Sequence, residues 1–124
     1  MKIIFYGTRE YDHYYFDVLA ADPEYGCEIR FLTANLDADT APLAQGGDAV
    51  CAFVNADCSA PVLEKLAQVA ADKNAEFITV YTGEGVDDAQ AQQASDIFRA
   101  RCPDAEITAL SGGQPVYYYI IAIE

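Results

Sequence analysis

Residues 48–72 have the sequence DAVCAFVNADCSAPVLEKLAQVAAD, and this stretch decides the fold. Residues 48–54 form an apolar run of the length that a buried parallel strand requires. Ser59 then offers a helix N-cap, and Pro61 fits the first helical turn. Apolar residues recur behind them at the spacing of one helix face: Val62, Leu63, Leu66, Val69 and Ala70. The stretch therefore predicts a strand followed by an amphipathic helix, the opening of a βαβ unit.

The same alternation of strand and helix extends in both directions. Apolar and aromatic runs predict strands over Lys2–Tyr6, 27–33, 76–81, 105–110 and 116–123. Helices are predicted over 11–21, from Asp39 or Thr40 through Ala44, and from 87 or 88 through about 101. Strands joined by helices of this length imply right-handed crossovers and a mainly parallel sheet. The prediction is a three-layer α/β sandwich of flavodoxin-like character, a single domain over residues 1–124.

The last two predicted strands are joined differently. Only about five residues, Ser111 through Pro115, separate them, whereas a parallel crossover needs a dozen or more. The sequence therefore predicts an antiparallel hairpin with its last strand at one edge of the sheet. Residues 116–123 (Val116 through Ile123) are aromatic and nearly uncharged, which favours pairing with a second molecule. A homodimer through this edge strand is accordingly the one partner that the sequence indicates.

Charge excludes several classes of function. Seven basic residues stand against twenty acidic ones, for a net charge of −13. A nucleic-acid binder needs a basic face to neutralise phosphates, and this chain has too few cations to build one. The same balance argues against an anionic membrane surface, and no apolar run approaches the roughly 20 residues that span a bilayer. We expect a cytoplasmic chain without a signal peptide.

Cysteine and histidine offer little chemistry. The four cysteines are irregularly spaced and contain no CxxC pair, so neither a zinc site nor a redox motif is predicted. His13 has Asp12 and Asp17 nearby and could act as a base or metal ligand. A lone histidine without a second ligand at helical spacing is more often a surface residue. The sequence predicts no catalytic residue, no metal and no cofactor.

Candidate ligand contacts lie where the predicted strands end, because open parallel sheets bind ligands outside the carboxyl ends of their strands. The candidates are Gly7, Thr8, Arg9, Asn55, Thr82, Gly83 and Gly85. Arg9 could hold a carboxylate or phosphate, and the two later glycines could bring backbone N–H groups to an anion. Glu84 and the acidic pair after it would repel that anion. The favoured alternative is that Gly83 and Gly85 simply permit a turn.

The front of the chain resembles a known enzyme family. Residues 1–12 (MKIIFYGTREYD), 43–55 (LAQGGDAVCAFVN) and 62–66 (VLEKL) are similar to the N-terminal part of bacterial D-lactate dehydrogenases, members of the D-2-hydroxyacid dehydrogenase family. The resemblance covers residues 1 to about 72. It implies that this piece begins a flavodoxin-like substrate domain.

The back of the chain resembles a different family. Residues 77–86 (FITVYTGEGV), 103–107 (PDAEI) and 112–124 (GGQPVYYYIIAIE) are similar to the C-terminal domain of fatty acid kinase A, of the dihydroxyacetone-kinase-like family. Gly-Gly-Gln-Pro followed by aromatic residues is the most specific part. This second resemblance covers residues from about 76 to 124.

Neither resemblance brings its catalytic apparatus. No GxGxxG fingerprint occurs, since Gly83 and Gly85 are followed by no third glycine in register. The Arg, Glu and His that the dehydrogenase resemblance implies belong to the missing region, and His13 matches none of them. The two resemblances imply an engineered or recombinant chimera with a structural role and no catalysis. The alternatives are a binding module for a small carboxylate or lipid, and a remnant 2-hydroxyacid dehydrogenase acting on NADH and pyruvate.

Overall fold

The computed structural model describes residues 1–53, 56–115 and 117–124. The strands are β1 Lys2–Tyr6, β2 Glu28–Leu32, β3 Ala49–Phe53, β4 Phe77–Thr82, β5 Glu106–Ser111 and β6 Tyr117–Ile123. The helices are α1 Glu10–Ala21, α2 Ala60–Asp72 and α3 Asp88–Arg101, with a 3₁₀ helix over Ala41–Ala44. The predicted elements are confirmed, with ends that differ by a residue or two. Val54, Asn55 and Val116 lie outside the described residues.

Helix starts follow the capping signals in the sequence. The Asp87 carboxylate accepts a hydrogen bond from the Gln90 N–H (2.8 Å), and the Gln90 side chain accepts one from the Asp87 N–H (3.0 Å). This reciprocal pair is a capping box, which satisfies two N–H groups that a helix start leaves unpaired. Ser59 occupies the predicted N-cap of α2 in extended conformation, but its side chain makes no capping hydrogen bond.

The described strands form one six-stranded sheet in the order β2-β1-β3-β6-β4-β5. The first five strands of the chain point the same way, and β6 runs antiparallel to both of its neighbours, β3 and β4. The mainly parallel sheet is therefore confirmed. The predicted hairpin is wrong, because β5 pairs with β4 while β6 lies on the far side of β4. The last strand is central, not an edge strand.

The β5–β6 connection crosses the carboxyl end of β4. The N–H groups of Gly112 and Gly113 donate to the Thr82 carbonyl (2.9 and 3.2 Å), and the Gln114 side-chain amide donates to the Tyr81 carbonyl (3.0 Å). Two strand spacings amount to about 10 Å, and five extended residues reach about 17 Å. A short connection therefore does not require β5 and β6 to be neighbours.

This topology also removes the predicted dimer contact. Both backbone edges of β6 are engaged, because Ile121 pairs with Val50 of β3 on one side and with Val80 of β4 on the other. A strand paired on both sides has no free edge to offer a second molecule. The predicted dimer contact through this strand therefore finds no free backbone edge over the described residues of β6.

One face of the sheet carries the main core. The predicted stripe of α2 is confirmed as buried in all five positions, and Phe98 of α3 is fully buried beside it. The sheet contributes alternate residues to the same cluster: Ile4, Tyr6, Val50, Ala52, Ile78, Val80, Tyr119, Ile121 and Ile123. Strands from both ends of the chain therefore share a single apolar interior with α2 and α3.

The other face is covered only in part, so the predicted third layer is incomplete. Phe16 of α1 packs on Phe5 of β1, with ring centroids 5.0 Å apart, and His13 lies over Phe31 of β2. None of the residues of α1 is fully buried. Phe77, Tyr81 and Leu110, on β4 and β5, are 50 %, 38 % and 46 % exposed. Within the described chain, α1 covers the β1–β2 side of the sheet and leaves the β4–β5 side open.

Lys73, just after α2, ties the front and back of the chain together at the amino ends of the strands. Its ammonium group donates to the Ile123 carbonyl (2.9 Å), to the Gly47 carbonyl (3.3 Å) and to the Asp48 carboxylate. The same carboxylate accepts a hydrogen bond from the Lys2 N–H (2.7 Å). These bonds hold the pKa of Asp48 below its usual range, with the Lys73 bond as the largest cause.

Candidate functional site at the carboxyl edge of the sheet

The carboxyl ends of β1 and β3 mark the topological switch point. The chain leaves β1 towards α1 on one face and leaves β3 towards α2 on the other, which opens a crevice between the two strand ends. The predicted candidates Gly7, Thr8 and Arg9 lie at this crevice. Asn55, the candidate on its other side, lies outside the described residues.

Main-chain carbonyls at and just after the end of β2 accept the hydrogen bonds of the donors at the end of β1. The Gly7 N–H donates to the Ala34 carbonyl (2.8 Å). The N–H and hydroxyl of Thr8 both donate to the Leu32 carbonyl (2.9 and 3.0 Å), and Thr8 is only 2 % exposed. Gly7 has φ +71°, and a Cβ there would lie 2.9 Å from the Asn35 side-chain oxygen. These two residues close the loop and do not present N–H groups to a ligand.

Arg9 is both a loop tie and an exposed cation. Its guanidinium Nη1 donates to the carbonyls of Thr8 (3.2 Å) and Thr33 (3.4 Å). Its backbone N–H donates to the Asp12 carboxylate (2.7 Å), which fixes the start of α1. Since both side-chain partners are neutral carbonyls and the residue is exposed, Arg9 keeps its charge available to an anion in solvent.

The loop after β4 is equally committed to structure. The Gly83 N–H donates to the Tyr118 carbonyl (2.7 Å), the Glu84 N–H donates to the Gln114 carbonyl (3.0 Å), and the Thr82 hydroxyl bonds to the Leu110 carbonyl (3.4 Å). A Cβ on Gly85 would lie 3.3 Å from the Tyr118 ring. The absence of a side chain at Gly85 thus lets that ring approach. The loop does not form a cradle of free N–H groups for phosphate.

A cavity of about 270 Å³ lies beside this loop, near the starts of α2 and α3. Its lining is largely polar and uncharged: Cys58, Ser59, Val86, Gln90, Gln93, Tyr118 and Tyr119. The Tyr119 hydroxyl donates to the Gln90 carbonyl (3.4 Å). Two helix starts near one cavity favour a partial negative charge inside it. The nearby carboxylates of Asp57 and Asp87 oppose a full one.

Two side chains of the cavity, Cys58 and Tyr119, stay protonated at neutral pH. Burial, with a smaller contribution from the neighbouring Asp57 carboxylate, raises the pKa of the Cys58 thiol to about 12. Burial likewise raises the pKa of Tyr119 to about 12, assisted by Cys58 and Asp87. A thiol held neutral is a poor nucleophile. The arrangement can therefore donate hydrogen bonds but offers no activated nucleophile among these side chains.

His13 takes no part in this site. It is exposed on α1, with its Nδ1 3.2 Å from the Asp17 carboxylate. No group of three His, Cys, Asp or Glu side chains in the described residues is placed to hold a metal ion. A search of those same residues for a helix long and apolar enough to cross a bilayer finds none.

Sequence reasoning located the edge of the sheet but missed the cavity. Gln90, Gln93, Tyr118 and Tyr119 meet there from α3 and β6, which lie far apart in the chain. The only local signal was the capping pattern Asp87 to Gln90, which places a glutamine at the start of a helix. That signal indicates a helix end and does not identify a ligand site.

Comparison with known proteins gives two distinct likenesses. The family of C-terminal domains like that of fatty acid kinase A matches residues 45–124. The match begins well before residue 76, so it includes β3 and α2 as well as the predicted back piece. Both pieces therefore draw on the β3–α2 unit.

The second likeness is to dehydrogenases. A 2-hydroxyacid dehydrogenase A of Aspergillus oryzae is 43 % identical over 67 residues, which is 53 % of this chain and 19 % of that protein. D-lactate dehydrogenase of Escherichia coli is 42 % identical over 66 residues, or 53 % of this chain and 20 % of that protein. The solved structure of Salmonella D-lactate dehydrogenase aligns with TM-score 0.60 and 28 % identity, covering 89 % of this chain and 30 % of the enzyme. The chain thus spans about a fifth of the length of these curated relatives.

Proposed function

Since the chain belongs, over residues 45–124, to the family of fatty acid kinase A-like C-terminal domains, we propose that it is a non-catalytic α/β module. In this proposal a dehydrogenase-like front piece is joined to that family's fold through the common β3–α2 unit. The joined chain is a chimera, engineered or recombinant, whose role is structural. Its cysteines are free thiols, which supports a cytoplasmic location.

One observation carries the proposal. At the strand ends where an α/β enzyme holds its ligand, the N–H groups of Gly7, Thr8 and Gly83 all donate to main-chain carbonyls. Electrostatic catalysis needs such donors pointed at the reacting group. The same hydrogen bonds stabilise the joined fold, and this supports a structural role over a catalytic one.

Turnover tests this proposal against its dehydrogenase alternative. We expect the purified chain to oxidise NADH with pyruvate no faster than buffer, while a complete D-lactate dehydrogenase under the same conditions reacts rapidly. A rate above buffer that persists through repeated purification would overturn the non-catalytic proposal. It would support a remnant 2-hydroxyacid dehydrogenase in its place.

The cavity favours a second candidate function, the binding of a small carboxylate. The amide of Gln93, the Ser59 hydroxyl and the start of α2 can donate to an acceptor there. Because the lining is polar and the volume small, a short acid such as pyruvate or lactate suits the cavity better than an acyl chain. Arg9, at the neighbouring crevice, adds a cation to this edge of the sheet.

Thermal shift separates the two functions. A ligand at 100 times its Kd stabilises a protein by about 2.7 kcal/mol, so pyruvate or lactate is expected to raise the melting temperature, whereas a fatty acid is not. Gln93→Leu should abolish the rise. Gln92→Leu is the matched control, because Gln92 lies next in the helix but bonds to Asp96 outside the cavity. A flat response to pyruvate, lactate and phosphate would remove the binding function and leave the structural one.

A further inference from the structure

The open face of the sheet is largely uncharged, with Glu106 of β5 as a carboxylate at its margin beside Phe77. This open face is the side of β6, β4 and β5 turned away from α2 and α3. Strand register places Ile120, Tyr81 and Leu110 side by side in one row, and Ala122, Thr79 and Thr108 in the next. None of these six side chains is charged, although the chain carries −13. A contiguous surface of this kind, with large apolar side chains exposed, marks an interaction site on a soluble protein.

The shape beside this surface is a step. α1 lies on the same side of the sheet over β1 and β2, and a layer packed on a sheet stands about 10 Å above it. Two sheets that pack face to face are also about 10 Å apart. A second copy placed face to face would therefore bring its sheet level with α1 of the first copy.

From this geometry we propose that the open face binds a second copy of this chain about a two-fold axis roughly parallel to the strands. Such an axis stacks the two open faces and brings α1 of each copy against the exposed edge strand β5 of the other. A two-fold axis across the strands is excluded, because it would drive α1 into the partner's β1 and β2. The difference in height between α1 and the open face therefore fits the same feature of a second copy in one orientation.

The area and the shape of this surface both favour a second copy. The open face is three strands wide and about 20 Å long, a footprint of about 300 Å². Adding the flank of α1 (about 18 Å long) and the β5 edge brings the contact to about 650 Å² per chain. A standard interface buries about 800 Å² per partner, so this one lies at the weak end. A basic partner would find one carboxylate on this face, Glu106 beside Phe77, and none in the two rows.

Oligomeric state measured by analytical ultracentrifugation tests the proposal. At 200 µM chain and 150 mM salt (~8 Å screening length), we expect a dimer of about 27 kDa, twice the 13.5 kDa of the chain. Leu110→Glu and Thr108→Glu should each weaken dimerisation at least tenfold, because they place a carboxylate in the two uncharged rows. Leu43→Glu is the control, since Leu43 is exposed on the 3₁₀ helix away from the open face, and this variant should dimerise like the parent.

Folding and salt dependence guard the interpretation. Each variant must melt cooperatively near the melting temperature of the monomeric parent chain. If Leu110→Glu does not fold, Thr108→Glu replaces it in the test, because residue 108 already has a polar side chain. Added salt should strengthen the dimer, because it screens the repulsion between two chains of −13. A chain that stays monomeric at 200 µM would overturn the proposal, as would a dimer unchanged by both variants.

Discussion

The two faces of the sheet differ sharply in how completely they are packed. On one face, α2 and α3 bury a cluster drawn from both ends of the chain, with Phe98, Leu66 and Ile121 almost inaccessible to solvent. On the other, α1 packs on β1 and β2 without one fully buried residue, and the β4–β5 side stays exposed. The difference shows that the dehydrogenase-like front and the kinase-like back of the chain share one apolar face. The cooperativity of the fold should therefore reside on the α2–α3 face.

The largest expected effect compares the same substitution on the two faces. Phe98→Ala should cost about 3–5 kcal/mol, because a fully buried ring leaves a cavity in the core. Phe77→Ala on the open face should cost about 1 kcal/mol or less. Urea denaturation at a concentration where the chain is monomeric gives both values. Equal losses would mean that the open face carries as much packing as the core.

The next largest effect concerns the contact between Lys73 and Asp48, which links the front and back of the chain at the amino ends of the parallel strands. Lys73→Met should cost about 1–2 kcal/mol at pH 7, a value reduced by the partial exposure of the pair. The pKa of Asp48 is lowered on folding, so its stabilisation is full above the unfolded pKa and is lost as pH falls through the folded one. The difference in unfolding free energy between wild type and Lys73→Met should therefore become smaller as the pH falls towards 3.

Lys65→Met is the control for this titration. Lys65 donates to the Ala38 carbonyl (2.7 Å) and pairs with no carboxylate among the described residues, so its effect should not change over the same pH range. If the loss of stability caused by Lys73→Met stays constant from pH 7 to pH 3, the ion pair with Asp48 does not help to hold the front and back of the chain together. The two remaining bonds from Lys73 to carbonyls would then account for all of it.

The smallest expected effect concerns the crossing of β4. A Cβ at Gly112 would overlap the Gln114 side-chain oxygen, so Gly112→Ala should displace that side chain from the Tyr81 carbonyl. Gly112→Ala and Gln114→Ala should each cost about 1 kcal/mol, and the double variant should cost less than their sum. Strict additivity in urea denaturation would show that Gln114 does not hold the crossing in place.

Much of the fold could be predicted because short sequence patterns specify most of its strands and helices. The apolar run before Ser59 and the stripe behind Pro61 specified β3 and α2 almost to the residue. The strand order was predicted wrongly, because the length of a connection limits how far apart two strands can lie but does not require them to be neighbours. A signal was nevertheless present: residues 116–123 are apolar on both alternate sets, and such a run is typical of a strand flanked by others, not of an edge.

The sequence predicted where the candidate site lies, but it did not predict the chemistry of the site. The strand ends fall at one edge in any parallel sheet, so Gly7, Thr8 and Gly83 were placed correctly. Their hydrogen-bond partners, such as Ala34 and Tyr118, come from other loops, and no local pattern indicates that these N–H groups are occupied. The cavity residues were missed for the same reason, because β6 and α3 meet there only in the folded chain.

Nuclear Overhauser contacts of β6 show whether one sheet and one core unite the two ends of the chain. In uniformly labelled protein, we predict cross-strand contacts from Ile121 to both Val50 and Val80. Val50 lies in the β3–α2 unit that both pieces share, Val80 lies in the back piece, and β6 lies between them. Contacts from Ile121 to residues of β5 instead, with none to Val50, would contradict a shared sheet.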